Sequence, residues 1–323
     1  MKKLIGWRGI VGLGIGAGLS FPGFAQTYPA QPIRLIVGFQ AGGATDIAAR
    51  AIGKKLTESL GQSVIVDNRP GASGNIAADI VAKAPPDGYA LLMANATIAI
   101  PSLYAKLPFD VNKDLLPISL IAMGPSLLVV NPSLPVNNVK NLIAMAKAKP
   151  KQLLYGSGGL GNSTHLAMEL FTSMAVIEMV HVPYKGGAPS VIGLMSGEVQ
   201  ILFTSIPSVL AQVNAGKVKA LGVSTLHRSS ALPNVPTIDE AGLTGYSAAS
   251  WYGLFAPAGV PQNALAILSR EIVKIMRVQE IRERFLSDGF DPVGNDPEEF
   301  SRFIHEEIPK WAKVVKMAGI KPQ

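Results

Sequence analysis

Short apolar runs alternate with segments of helical periodicity along the chain from residue 33 onward. The run IRLIVGF has the length and continuity of a buried strand. The segment after it, TDIAARAIGKKLTESL, carries an apolar residue at every fourth position, namely Ala48, Ile52, Leu56 and Leu60. SVIVDNR, NIAADIVAKA and YALLMAN then continue the alternation as strand, helix and strand. This alternation predicts a parallel sheet covered by helices.

Two longer extended stretches interrupt the alternation and suggest two lobes. PISLIAMGPSLLVV (117–130) and YSAASWYGLFAP (246–257) are broken by small residues and are typical of strands that cross between lobes. We therefore predict two α/β lobes joined by hinge strands, with residues 27–123 and 248–323 in lobe 1 and residues 124–247 in lobe 2. Two amphipathic helices, QNALAILSREIVKIMRV and PEEFSRFIHEEIPKWAKVVKMAG, are expected to end the chain. Ligands of open α/β sheets bind beyond the carboxyl ends of the strands, so we expect a ligand cleft between the lobes.

The N-terminus has the layout of a secretory signal peptide. Lys2, Lys3 and Arg8 precede an uncharged run of 16 residues from Gly9 to Phe24, and small residues precede a predicted cut after Ala25. The alternative is a retained membrane anchor, but the run is shorter than the roughly 20 residues that span a bilayer. Residues 1–25 are thus predicted to direct the export of the protein and to be cleaved from it.

Composition narrows the range of possible functions. The chain has 323 residues and a net charge of +7, which falls to +4 without the signal peptide. This balance does not indicate nucleic-acid binding. The chain has no cysteine, which excludes disulfides, a lipid-modified cysteine and thiolate metal sites. Hydrophobic residues make up 48% and aromatic residues 7%, so the predicted core is mainly aliphatic.

Two glycine-rich loops are each followed by a predicted helix. In YGSGGLGNSTHL, residues Gly156, Gly158 and Gly161 form a G-x-G-x-x-G pattern after a strand, and Asn162, Ser163 or Thr164 could cap the helix that follows. VGFQAGGATDIAAR repeats the arrangement of strand, glycine loop and helix in the other predicted lobe. Backbone N–H groups and the positive ends of helices favour anions. Two such loops that face each other would suit a small carboxylate.

Enzymatic interpretations of the second loop have weaker support. A dinucleotide site needs an acidic residue about 20 positions further on, at the end of the next strand. That strand instead ends in Tyr184-Lys185-Gly186, and Glu178 lies at its start. For a hydrolase, Ser157 lies in no G-x-S-x-G motif and has no recognisable partner base. The chain also lacks H-E-x-x-H. We therefore predict no catalytic residues, no metal and no cofactor.

Several segments, taken in order, resemble one family. GFQAGGATDIAARAIGKKLTESLGQSVIVDNRPGASGNIAADIVAKAPPDGYALLM, YGSGGLGNSTHLAMELF, VPYKGG and WYGLFAPAGVP together resemble the tripartite tricarboxylate transporter solute-binding proteins, the TctC-like or Bug group. The resemblance covers essentially the whole mature chain. It implies a two-lobed periplasmic binding protein of type II-like fold that captures a small organic acid. It also implies delivery to a membrane permease of one large and one small subunit.

The resemblance assigns ligand contacts to the loops Gln40–Asp46 and Ser157–Thr164, largely through main chain and bridging waters. Many relatives have a proline where this chain has Ala41, so Gln40 adds an amide that could contact the ligand. The predicted ligand-binding residues lie in these loops and after neighbouring strands. They are Gln40, Gly42, Gly43, Ala44, Thr45, Asp46, Asn95, Thr97, Ser157, Gly158, Gly159, Asn162, Ser163, Thr164, His165, Tyr184, Thr204 and Ser205.

Some of these positions have structural alternatives. Thr45 could cap its helix and Asp46 could offset the helix dipole, since a carboxylate would repel a bound carboxylate. His165 could serve packing as readily as ligand binding. Trp251 and Tyr252 are expected at a hinge or cleft wall. We expect a monomer, and a periplasmic ligand sensor that presents its ligand to a signalling partner remains an alternative to the transport receptor.

Overall fold

A mixed ten-stranded sheet forms the framework of the protein in a computed structural model that describes residues 28–317 and 322. The predicted signal peptide lies outside the described residues. Eight strands follow the order β2-β1-β3-β9-β4-β7-β5-β6, and β8 and β10 both pair with β4. The strands are Ile33–Val37 (β1), Val64–Asn68 (β2), Ala90–Asn95 (β3), Leu115–Val130 (β4), Leu154–Ser157 (β5), Val180–Pro183 (β6), Ile201–Ser205 (β7), Lys219–Val223 (β8), Ala249–Pro257 (β9) and Asp291–Pro292 (β10).

Helices cover the sheet and follow most of the strands. They are Ala44–Leu60 (α1), Asn75–Ala82 (α2), Val111–Asp114 (α3), Val139–Ala148 (α4), Ser163–Ala175 (α5), Gly187–Ser196 (α6), Ile206–Asn214 (α7), Gln262–Arg277 (α8), Gln279–Ser287 (α9) and Pro297–Met317 (α10). The predicted apolar face of α1 is confirmed, because Ala48, Ile52 and Leu56 are completely buried. None of these helices has the length and apolar character needed to cross a membrane.

Two parallel units lie at opposite ends of the sheet. In the first, β1 pairs in parallel with β2 and β3, and α1 packs beside them. In the second, β5 pairs in parallel with β6 and β7. Each unit has apolar clusters of its own, for example around Leu35 and Ile52 in the first and around Phe171 and Phe203 in the second. The fold is therefore α/β and two-lobed, as predicted.

The two long strands β4 and β9 join the units and pair antiparallel with each other. Strand β4 pairs with β9 from Leu115 to Pro125 and changes partners at Ser126, from where it pairs with β7. The change of partners brings a single strand from one unit into the other. We propose that the lobe boundary lies here, two residues beyond the boundary predicted after residue 123.

Two sequence predictions need correction. The sheet is not parallel throughout, because β4 and β9 run antiparallel to their neighbours at its centre. Hinge strands carry the chain out of one unit and back again, so they must run in opposite directions. The C-terminal region also has three helices rather than two. The helix that was missed, α9, is short and buries only Ile281 and Phe285.

Candidate functional site

Four helix N-termini point at one place between the two parallel units, counting only the described part of the chain. Helix α1 begins after Gly43, and α5 begins after Asn162, whose side chain accepts a hydrogen bond from the Thr164 amide at 2.7 Å. Helices α6 and α7 begin after Gly186 and Ser205. The unpaired N–H groups and dipoles of helix N-termini create a positive potential. The arrangement favours a negatively charged group.

A polar cavity of about 30 Å³ lies where these helices meet. Within the described residues its lining contains hydroxyls, amides and glycines but no charged side chain. The lining residues are Phe39, Gly43, Ala44, Thr45, Asn95, Gly158, Asn162, Ser163, Thr164, Gly187, Thr204, Ser205, Ser208, Ser250 and Tyr252. A cavity needs roughly 10–15 Å³ to hold a single water, so this one has room for about one carboxyl group. We call it the anion cavity.

Hydroxyl groups connect the two units around the anion cavity. The amide of Ala44, in the first turn of α1, donates to Ser208 Oγ on α7 at 3.0 Å. Ser208 Oγ is also 2.9 Å from Ser205 Oγ. On another side, Ser163 Oγ on α5 lies 3.2 Å from Ser250 Oγ on β9. Hydroxyls donate and accept, so these groups can turn toward a bound carboxylate without a change of charge.

Asp46 organises the first glycine loop from within. Its carboxylate accepts hydrogen bonds from the Gly42 amide at 2.9 Å, from Arg50 Nε at 2.9 Å and from Asn68 Nδ2 at 2.9 Å. Burial raises the pKa of Asp46, but these three donors outweigh burial and hold the pKa below its ordinary value. The N-cap of α1 is Gly43, so the alternative role of Thr45 as the capping residue is wrong.

The second glycine loop closes tightly on the start of α5. The Gly158 amide donates to Thr164 Oγ1 at 3.0 Å, and a Cβ at Gly158 would lie only 2.9 Å from Asn162 Nδ2. Gly161 has φ of +71°, and a Cβ there would lie 2.7 Å from Leu103 Cδ1. The positive φ favours glycine at Gly161, whereas a Cβ at Gly158 would displace the Asn162 side chain that caps α5.

A larger cavity of about 450 Å³ adjoins the anion cavity and shares Phe39 and Gly158 with it. Residues of both units line it, and Lys185 is exposed beside it. Its lining residues are Gly38, Phe39, Gly71, Ala72, Ser73, Tyr104, Gly158, Gly159, Leu160, Pro183, Tyr184 and Lys185. Ser73 Oγ donates to the Leu160 carbonyl at 2.6 Å and so bridges the two units at this cavity. We call it the outer cavity.

The structure brings many of the predicted ligand-binding residues to the anion cavity. These are Gly43, Ala44, Thr45, Asn95, Gly158, Asn162, Ser163, Thr164, Thr204 and Ser205. Gly159 and Tyr184 line the outer cavity instead. Direct ligand contact by any of them stays a prediction.

The remaining predicted residues line neither cavity; they are Gln40, Gly42, Asp46, Thr97, Ser157 and His165. Gln40 is exposed to solvent, and the Thr97 amide donates to Asn95 Oδ1. The side chains of Asp46, Ser157 and His165 hydrogen-bond the backbone of the two glycine loops. These three side chains therefore stabilise the loop backbones and do not face either cavity.

Sequence reasoning missed four residues of the anion cavity: Phe39, Gly187, Ser208 and Ser250. Tyr252, which was expected at a hinge or cleft wall, also lines the cavity. For Gly187 and Ser208 a signal existed, since GGAP and TSIPS are glycine, serine and proline motifs of the kind that begin helices. Ser250 and Tyr252 enter through the pairing of β9 with β4 and β3, which is a long-range feature. The strained GASG turn (71–74), in which Ala72 and Ser73 have φ of +45° and +52°, was also missed.

A serine–histidine contact under the second loop does not make a hydrolase site. Ser157 Oγ lies 2.7 Å from His181 Nε2, a pairing that the sequence did not reveal. However, Ser157 is completely buried, and its Oγ also contacts the Gly159 amide and carbonyl at 3.2 and 3.1 Å. A nucleophile must reach its substrate. The Ser157 side chain instead stabilises the loop.

A family model described as the tripartite tricarboxylate transporter family receptor, TctC, matches residues 48–320. Protein BugT of Bordetella pertussis is 37% identical over 316 residues, which cover 97% of each chain.

Solved structures are similar over most of the chain. An R. palustris protein solved with adipate has a TM-score of 0.90 and 38% identity, covering 92% of this chain and 100% of that one. The periplasmic binding protein BugD has a TM-score of 0.88 and 31% identity over 92% of this chain and 100% of BugD. MatC from Rhodopseudomonas palustris, solved with bound malate, has a TM-score of 0.83 and 29% identity, covering 89% of this chain and 100% of MatC.

Proposed function

The chain belongs to the tripartite tricarboxylate transporter receptor family, and on that premise we propose that it is a periplasmic receptor for a small organic acid. In this proposal one carboxylate of the ligand occupies the anion cavity between the lobes. The receptor then delivers the acid to a two-subunit membrane permease. The observation that carries the proposal is the convergence of four helix N-termini on a cavity lined by neutral donors.

The chemistry of the anion cavity accounts for binding without a charged side chain. A hydrogen bond to a charged group contributes about 1.5–3 kcal/mol. Four or five such bonds, reduced by the costs of ordering and desolvation, give a free energy near −8 kcal/mol, or about micromolar affinity. The donors we propose are the buried hydroxyls of Thr204 and Ser208 and the amides of Thr45 and Ser163 in the first turns of α1 and α5.

The outer cavity supports an elongated acid. The anion cavity holds about one carboxyl group, so the rest of the ligand must extend past Phe39 and Gly158 into the adjoining 450 Å³. Aromatic rings of Tyr104 and Tyr184 line that space, and Lys185 offers a positive charge at its edge. Relatives solved with adipate and malate carry diacids. We propose that the second anionic or polar end of the ligand lies near Lys185.

A binding screen tests the proposal directly. The protein beginning at residue 26 is examined by native mass spectrometry for a co-purified acid, and then by thermal shift with adipate, malate and their diamides. We expect stabilisation by several degrees with one of the acids and none with the matched diamide, because the helix N-termini favour the charged group. Equal shifts with acid and diamide, or no shift with any carboxylate, would contradict the proposal.

A further inference from the structure

Three stacked aromatic rings lie directly beneath the second glycine loop and outside both cavities. Tyr155 of β5 stacks on His181 of β6 with ring centroids 4.8 Å apart, and His181 stacks on His165 of α5 at 4.0 Å. The interplanar angles are 19° and 13°. Two imidazoles in face-to-face contact place two titratable groups against one loop. Nothing in carboxylate binding itself requires them there.

Each imidazole contacts the second glycine loop at a different position, either directly or through Ser157. His165 Nδ1 accepts a hydrogen bond from the Gly161 amide at 3.1 Å. His181 Nε2 lies 2.7 Å from Ser157 Oγ, which in turn contacts the backbone of Gly159. The loop between Ser157 and Gly161 supplies Gly158 to the anion cavity and Gly159 to the outer cavity. The imidazole pair therefore positions the backbone that faces the ligand.

The hydrogen bond from Gly161 requires one protonation state of His165. A backbone amide can only donate, so Nδ1 must be unprotonated and the ring proton is assigned to Nε2. Nε2 points toward Glu169, whose Oε1 is 3.5 Å away and also accepts a hydrogen bond from Tyr155 Oη. A second proton on His165 would place an N–H group against the Gly161 N–H. The loop would lose its anchor at that point.

The surroundings of the His181 imidazole keep it neutral near neutral pH. Burial lowers the pKa of His181 to about 3, and the neighbouring His165 acts in the same direction, while Glu169 opposes both. The pKa of Glu169 is itself lowered by the hydrogen bond from His165, with Tyr155 and His181 adding to that effect against burial. A cation on either ring also disfavours a cation on the other, because the two stacked rings are in contact.

We propose that the stacked His165–His181 pair positions the Ser157–Gly161 loop for the ligand, and that proton uptake by the pair releases the loop and weakens acid binding. This inference rests on the proposed function, and it adds a pH-controlled element to it. The direction of the pH dependence follows from the linkage between proton uptake and ligand binding. A ligand that needs the neutral pair competes with protons, so affinity falls as pH falls, by up to tenfold per pH unit below the titration of the pair.

The first test needs no ligand. In ¹⁵N-labelled protein, the Gly161 amide and the imidazole nitrogens of His165 and His181 are followed by NMR from pH 8 to pH 3. We expect the Gly161 amide signal to shift with the same midpoint as the imidazole that titrates. In the double variant His165→Asn with His181→Gln, whose side-chain amides cannot titrate, the Gly161 signal should show no shift at that midpoint. A Gly161 signal that ignores imidazole titration in the unmodified protein overturns the inference.

The second test measures adipate affinity over the same pH range by calorimetry. The double variant His165→Asn with His181→Gln is the control, because adipate itself titrates identically with both proteins. We expect the unmodified protein to lose affinity more steeply than the variant as pH falls, with each protein referred to its own value at pH 8. Parallel pH profiles would overturn the inference. Absence of adipate binding at every pH, with Gly161 coupled to the imidazoles in the first test, would count against the proposed ligand class instead.

Discussion

Gly43 lines the proposed anion cavity at a position where the backbone accepts a side chain. It is the N-cap of α1, and its φ of −83° and ψ of 165° are accessible to any residue. An added Cβ would lie 3.5 Å from the Gln40 carbonyl and 3.8 Å from the Gly187 amide, which are ordinary contact distances. The fold therefore tolerates alanine here. The cavity, at about 30 Å³, has little room for the methyl group.

We accordingly expect Gly43→Ala to reduce carboxylate affinity by at least tenfold while the melting temperature changes little. The matched control is Gly53→Ala in the same helix, where the added Cβ would contact Val64 and Val66 at 3.5 and 3.6 Å, away from the cavity. That substitution should leave affinity intact and stabilise the helix by about 0.5–1 kcal/mol. Calorimetry and thermal melts of both variants decide the matter. Equal affinity in the two variants would show that the ligand does not use this cavity.

For single residues, the sequence predicted which positions belong to the site better than it predicted what each side chain does there. Thr45, Asn162 and Thr204 were expected at the site and line the anion cavity, because helix N-termini and strand ends can be read from local patterns. Asp46 and His165 belong to the same motifs, but they face the loop backbone rather than the cavity. The side of a loop that a side chain faces depends on its packing partners, here Asn68 and His181, which are distant in sequence.

At the scale of secondary-structure elements, the glycine loops favour an anion because helices begin immediately after them. The two loops before α1 and α5 were predicted from their glycine patterns, whereas the contribution of α6 and α7 was not. A helix start contributes to a site only if tertiary packing aims it there. For α6 and α7 that packing includes contacts between the two helices and with β7, which a single sequence does not show.

The GASG turn between β2 and α2 is a further element, and it connects the lobes. Its residues Ala72 and Ser73 adopt left-handed backbone conformations, which cost free energy in non-glycine residues. In that conformation Ser73 Oγ donates to the Leu160 carbonyl in the second glycine loop at 2.6 Å. The bond joins the two lobes, so it stabilises only the arrangement in which they are close together.

We expect Ser73→Ala to weaken ligand affinity by about threefold to tenfold. A hydrogen bond of this type contributes about 0.5–1.5 kcal/mol, and its loss penalises the closed arrangement selectively. Ser196→Ala is the matched control, since Ser196 Oγ donates to Gly193 within α6 alone. Titration calorimetry of both variants measures the difference. If Ser196→Ala lowered affinity as much as Ser73→Ala did, the bridge between the lobes would not be the cause.

For the whole molecule, we expect the lobes to separate during binding, because residues of both lobes line the small anion cavity. Ala44 and Ser208 are hydrogen-bonded across it. A ligand that entered between these two residues would have to break this contact. The strands β4 and β9 are the connections through which such a movement would pass, because β4 exchanges its partner β9 for β7 at Ser126.

An engineered disulfide between the lobes tests this movement, and the absence of cysteine from the chain makes the experiment simple to interpret. A Cβ at Gly42 would lie 3.7 Å from Ala188 Cβ, within the 3.5–4.5 Å range of disulfides, and neither residue lines the anion cavity. The φ of +82° at Gly42 means that Gly42→Cys costs about 1–2 kcal/mol, which the fold should tolerate. The variant is Gly42→Cys with Ala188→Cys, and Ala188→Cys alone is its control.

We expect the double variant, oxidised without ligand, to bind adipate at least a hundredfold more slowly than its reduced form, because the lobes can no longer part. Oxidised with adipate already bound, it should retain the acid through dialysis, and native mass spectrometry would detect the complex. Reduction should restore exchange in both cases, whereas Ala188→Cys alone should respond to neither treatment. Uptake of adipate at the same rate before and after reduction would mean that the ligand reaches its site without separation of the lobes, and the hinge at Ser126 would have no part in binding.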